Sequence, residues 1–161
     1  MKVIISDTTA LIILAKCNRL NLLTNFLEKV YIPDAVMQEI SIKNDDVKKF
    51  ITTSDFVEVK EVSNKKILED VYYSGLDAGE IEAIALALET GLDLIIDEKA
   101  GRKYAKSKGI DILGLLGILK INLLNKHINY IELLYILDEF KKVKFRINPK
   151  LEKEFLDNLS K

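Results

Sequence analysis

A chain of 161 residues, 48% hydrophobic and 30% charged with 7 Gly and 2 Pro, has room for one sizeable core and too little glycine or proline for a disordered, collagen-like or low-complexity protein, so residues 1–161 are expected to form a single domain. Lys and Arg number 24 against 25 Asp and Glu, and a net charge near zero supplies no global field for nucleic acid or an anionic membrane, so any polyanion site must be local. The lone Cys17 and lone His127 exclude an internal disulfide, a Cys/His zinc site and two-histidine catalysis.

Lys2-Val-Ile-Ile-Ser6 is a β-branched run suited to a parallel strand buried on both faces, with Asp7 at its C-terminal end. Thr8 and Thr9 read as N-caps of a helix over 10–23, on the stripe Leu11, Leu14, Ala15, Leu20 and Leu23. Residues 30–32 form a second strand, and Pro33-Asp34 opens a helix to about 42 that contains Glu39. Residues 56–62 alternate as a half-exposed edge strand does, and a Lys-rich helix follows over 64–73. Leu76-Asp77-Ala78-Gly79-Glu80 introduces the clearest helix, 81–90, with Gly91 as its C-cap. A strand over 92–96 ends in Asp97, a charged helix over 98–108 stops at Gly109, and a further strand spans 110–113. Helices fill 115–125, 129–140 and 151–159; the apolar stretch 115–124 suits either the core or a homodimer face. Alternating strands and helices predict an α/β fold with a mostly parallel central sheet. The longest uncharged apolar run, 112–119, is far below the ~18 residues of a membrane span, and no signal peptide is visible, so a cytoplasmic protein with no membrane partner is expected.

Asp7 and Asp97 each follow a buried strand, which puts both at the C-terminal edge of one parallel sheet, where open α/β folds bind ligands. Glu39 and Glu80 lie in helices able to lean over that edge, and if both did, four carboxylates would converge. Converging carboxylates raise one another's pKa unless a cation lies among them. With oxygen ligands alone the ion would be hard, Mg²⁺ or Mn²⁺, suited to hydrolysis of a phosphodiester. Each acid also has a plain structural role: Asp7 and Asp97 as N-caps, Glu39 as a solvated helix residue, Glu80 as the reach-back acid of an Asp77-x-x-Glu80 capping box. Lys99, Arg102 and Lys103, with Lys106 and Lys108, form a local excess of cations that either guides RNA or is a solvated helix face. A second basic run, Lys141, Lys142, Lys144 and Arg146, is a further patch or an ordinary loop. His127 reads as a surface residue and Cys17 as a packing one.

Four ordered blocks, Ser6-Asp7-Thr8-Thr9-Ala-Leu11-Ile-Ile-Leu14-Ala15-Lys16, Ile32-Pro33-Asp34-Ala35-Val36-x-x-Glu39-Ile40, Leu76-Asp77-Ala78-Gly79-Glu80-x-Glu82-Ala83-Ile84-Ala85-Leu86-Ala87 and Leu94-Ile95-Ile96-Asp97-Glu98-x-Ala100-x-Arg102, together resemble the PIN-domain proteins over about residues 1–120. The Gly79-Glu80-x-x-Ala83-Ile84 signature is similar to that of a branch related to VapC-type toxins. The resemblance implies a three-layer α/β/α fold and a Mg²⁺- or Mn²⁺-dependent endoribonuclease, often paired with an antitoxin protein. It implies catalytic roles for Asp7, Glu39, Glu80 and Asp97 and metal binding by Asp7, Glu80 and Asp97, and Arg102 matches a family position, whereas Lys99 and Lys103 are candidates for RNA contact from the local excess of cations alone. Glu80 stands where many PIN domains carry Asp, and Lys99 where many relatives carry a further acid, which leaves open whether one ion or two is held. Two other readings stay open: a phosphoacceptor or phosphatase domain using Asp7, against which Asp7-Thr8-Thr9 lacks a second Asp, and a PIN-like module that binds RNA or protein without catalysis.

Overall fold

A computed structural model of the chain describes residues 2–43 and 45–159. Five strands, β1 (Val3–Ser6), β2 (Lys29–Ile32), β3 (Val57–Val59), β4 (Leu94–Ile95) and β5 (Ile112–Leu113), form one sheet in the order β3-β2-β1-β4-β5, every pair parallel. Parallel neighbours require crossovers, and ten helices supply them among the described residues: α1 (Thr8–Lys16), α2 (Asn21–Thr24), α3 (Asp34–Lys43), α4 (Asp45–Thr53), α5 (Lys65–Tyr72), α6 (Ala78–Thr90), α7 (Lys99–Ser107), α8 (Leu115–Leu124), α9 (Tyr130–Lys142) and α10 (Pro149–Leu159).

Strand side chains alternate between two cores. Ile4, Val30, Ile32 and Ile95 join Leu11, Leu14, Val36, Ile118, Leu133 and Phe140 on one face; Ile5, Leu94 and Ile96 join Val71, Ile84 and Ala105 on the other. The fold is therefore a three-layer α/β/α sandwich, with α5, α6 and α7 covering the second face. The stretch 115–124 serves the core: Leu115, Ile118 and Leu119 are fully buried. Buried Asn122 donates to Leu22 O and Ile118 O and accepts from Asn25, so the one amide there is satisfied and ties α8 to α2.

Several expectations need correction. The edge strand expected over 56–62 forms only over Val57–Val59. The helix expected over 10–23 stops at Lys16: Asn18 takes a left-handed φ of 55°, and Asn18 N–H and Arg19 N–H close on Ala15 O and Leu14 O, a C-terminal cap that asparagine tolerates. Its N-cap is Asp7 rather than Thr8 or Thr9, both of which lie inside the first turn. α4 occupies a segment to which no element had been assigned, and it buries Val47 and Ile51, one helical turn apart, on the first core. The strands placed at 92–96 and 110–113 pair over two residues each, because β5 is an edge from which the chain turns at Gly114 into α8. Among the described residues no helix is long and apolar enough to cross a membrane.

Candidate active site

The chain leaves β1 toward β2 on one side and meets β4 on the other, so β1 and β4 flank the point where strand order reverses, the usual place for a ligand in an open α/β sheet. Ser6 lies opposite Ile95 in register. Asp7 N–H donates to Ile95 O at 3.0 Å. Asp7 and Asp97 therefore emerge side by side from the C-terminal edge.

Asp7 is 3% exposed. Its Oδ1 accepts from Ala10 N–H at 3.2 Å, capping α1, and its Oδ2 accepts from Asp97 N–H at 3.4 Å. Burial, then the charges of Asp97 and Glu80, hold its carboxyl well above the usual range against the pull of those two N–H groups. Asp97 Oδ1 accepts from Leu115 N–H at 3.2 Å and so caps α8 instead of the helix that follows it in sequence. The Arg102 guanidinium stands 4.0 Å from the same oxygen. Burial nevertheless pushes the Asp97 carboxyl up to about 6. Gly114 makes this approach possible, since a Cβ there would lie 2.9 Å from both Arg102 Nη1 and Asp97 Oδ1.

Glu80 is 9% exposed in the first turn of α6. Asp77 Oδ1 accepts its N–H at 2.8 Å, so Asp77 is the N-cap. The Asp77 N–H in turn favours the ionised Glu80 side chain, the reach-back arm of the expected capping box, while Glu80 Oε2 is buried with no hydrogen-bond partner among the described residues. Burial, reinforced by the Asp77 carboxyl beside it, raises Glu80 to about 7. Gly101 of α7 packs directly on it, and a Cβ at that position would collide with Glu80 Oε2 and Ile96 Cδ1.

Asp7, Glu80 and Asp97 thus share one electrostatic neighbourhood. Glu39 pairs with Lys43 at 3.8 Å, one turn along α3, and is not among the groups that shift the other three. Two groups that sequence reasoning left without a part do join. Glu98 raises both Glu80 and Asp97 by its charge, and Thr8 Oγ1 is buried without a partner beside Gly79. The adjacent acids Asp97-Glu98 were a visible signal; the Thr8 hydroxyl had none beyond its position next to Asp7. Lys99 and Lys103 are exposed on α7, and Arg102 is half-buried.

Three buried oxygens lack partners here, Thr8 Oγ1, Glu80 Oε2 and Asp97 Oδ2, and buried polar atoms rarely stay so. They are all hard oxygen donors, and two belong to carboxyls whose charge burial disfavours. A divalent cation answers both conditions. No three Asp, Glu, His or Cys side chains among the described residues stand close enough to form a ready-made metal cluster, so an ion would have to draw these carboxylates together or complete its shell with waters.

The family model described as PIN domain (DUF3368) matches residues 3–161. Among solved structures, a PilT N-terminus domain protein from the hyperthermophilic archaeon Sulfolobus solfataricus P2 is 21% identical, with a TM-score of 0.51 over 76% of this chain and 94% of that one. At that identity the likeness shows the fold. No curated protein matches.

Proposed function

Because the chain belongs to the PIN-domain family, whose fold is of nuclease type, we propose that it is a Mg²⁺- or Mn²⁺-dependent endoribonuclease. The observation that carries this reading is the pair of partnerless buried carboxylate oxygens, Glu80 Oε2 and Asp97 Oδ2, at the sheet edge beside Asp7. Asp7, Glu80 and Asp97 would hold the ion. When bound, it would supply charge neutralisation on the phosphodiester and lower the pKa of an attacking water. Asp7 fixes the site in place, because its two oxygens are bonded to the starts of α1 and of the segment after β4. Arg102, beside Asp97, lowers the cost of its charge and would be available to a phosphate oxygen. Glu39, paired with Lys43, is proposed as a further catalytic carboxylate that is not a metal ligand. Deep burial of Asp7 and its two N–H bonds speak against a phosphoacceptor role, which needs an accessible carboxylate.

The Gly79-Glu80-x-x-Ala83-Ile84 signature further supports a VapC-type toxin, cytoplasmic, with an antitoxin and a second copy of the chain as partners. The test is incubation of purified protein with single-stranded RNA in Mn²⁺, in Mg²⁺ and in EDTA. Cleavage should require the metal; equal cleavage in chelator would overturn the reading.

A further inference from the structure

The basic run that ends α9 does not stay apart from α7. Lys144 takes a φ of 73°, which turns the chain after α9 back across the molecule. Phe145 then seats edge-on against Phe140, ring centroids 6.1 Å apart, and its N–H bonds to Phe140 O. α10 is fastened by Phe155, Leu156 and Leu159 on the first core and by the Lys141–Glu152 ion pair. The segment 145–151 is thereby held opposite α7 across a cleft of about 820 Å³.

One wall presents Lys99, Arg102, Lys103 and Lys106, a single helical stripe at spacings of three and four. The other presents Arg146 and Lys150. Asp97 and Glu154 are the only acids among the described lining residues, and apart from Arg102 none of these cations is in an ion pair among the described residues. A chain of net charge −1 has therefore gathered six cations around one cleft with Asp97 in its lining. Its apolar lining includes Leu116, Phe145 and Ile147.

We infer that residues 145–151 form the second wall of a channel for single-stranded RNA, with Arg146 and Lys150 gripping phosphates across from the α7 stripe. The inference rests on the nuclease reading only for the direction in which the strand is delivered, toward Asp97. Charge complementarity selects a polyanion. The apolar lining beside the cations, Leu116, Phe145 and Ile147, selects a single strand, since unpaired bases expose faces that stack on such surface, whereas a duplex offers mainly phosphates and 2′-hydroxyls.

The experiment is fluorescence anisotropy with a labelled twelve-nucleotide oligo(U) and a duplex of the same length, in EDTA and across a range of salt. The full chain is compared with Arg146→Ala/Lys150→Ala, with Arg146→Gln/Lys150→Gln, which keeps longer stems, and with Lys153→Ala on the same helix. Each lost phosphate contact should lower the salt slope by about 0.7, so both double variants should lose about 1.4 from the slope and on the order of 10-fold in affinity at low salt. Lys153→Ala and the thermal melt should be unchanged. Wild-type affinity and slope in folded double variants would overturn the inference, as would tighter binding of the duplex. Binding that depends on Arg146 and Lys150, without cleavage when Mn²⁺ is restored, keeps the channel and overturns the nuclease; metal-dependent cleavage with unaltered binding in the variants does the opposite.

Discussion

Glu80 holds two positions at once, the first turn of a helix and the edge of a buried acidic site, and substitution separates them. The bond that starts α6 runs from Glu80 N–H to Asp77, so Glu80→Gln leaves the cap intact and removes only a charge favoured by the helix dipole, worth about 0.5 kcal/mol. The melting temperature should move by no more than about 2 °C. Outer partners of metal ligands are typically worth roughly 10–100-fold in affinity or activity, so losing a ligand's charge should reduce Mn²⁺ affinity and RNA cleavage by at least that much. Asp77→Ala should do the reverse, costing about 1 kcal/mol of stability through the lost cap while keeping metal affinity. Calorimetric Mn²⁺ titration beside a thermal melt reads both. Glu39→Gln gives a third pattern: since Glu39 pairs with Lys43 and is proposed as a catalytic rather than a metal-binding acid, cleavage should fall with Mn²⁺ affinity unchanged.

At the scale of elements, α7 is where helix propensity and site geometry conflict. Alanine at position 101 should favour the helix by about 1 kcal/mol over glycine, yet its Cβ would collide with Glu80 and with the fully buried Ile96. Both clashes are with side-chain ends, so Ile96 Cδ1 and Glu80 Oε2 must each shift, and an overpacking cost of about 1–3 kcal/mol offsets the helix gain. Gly101→Ala should therefore melt within a few degrees of wild type while losing Mn²⁺ affinity; unchanged affinity would mean that α7 slides as a unit. The same dependence on packing explains what could be read from the chain. β1 and β4 were legible because apolar runs such as Val3-Ile4-Ile5 and Leu94-Ile95-Ile96 announce buried parallel strands, and the acids behind them fall at the sheet edge by topology alone. The break at Asn18 was harder to see, because one left-handed residue interrupts a stripe that continues in α2. α4 hid its apolar side behind a Lys- and Asp-rich surface. Whether Glu39 turns toward Asp7 or toward Lys43 is settled by side-chain placement, about which spacing along α3 says nothing.

The whole molecule keeps its buried acids at a cost that pH can reveal. Asp7, Asp97 at about 6 and Glu80 at about 7 all sit above their ordinary values. The folded metal-free protein therefore binds protons more tightly than the unfolded chain. Stability from these groups is greatest below their unfolded pKa values near 4 and declines as pH rises through the folded values of Asp97 and Glu80, about 6 and 7, with Asp7 adding to the decline in the same direction. Glu58 and Glu89 are lowered and act in the opposite sense, but both are solvent-screened surface carboxylates and weigh little. A divalent ion requires the ionised carboxylates, so its stabilisation follows the reverse course, slight at pH 5.5 and large at pH 8. In chelator the melting temperature should fall between pH 5 and 7.5, and the rise produced by millimolar Mn²⁺ should grow over the same interval. Asp7→Asn keeps a capping side chain on α1 but removes the most deeply buried of the three charges. It should flatten the decline in chelator and abolish most of the Mn²⁺ response. A metal-free melt that climbs steadily from pH 5 to 7.5 in wild type would mean that the three acids are not held against ionisation.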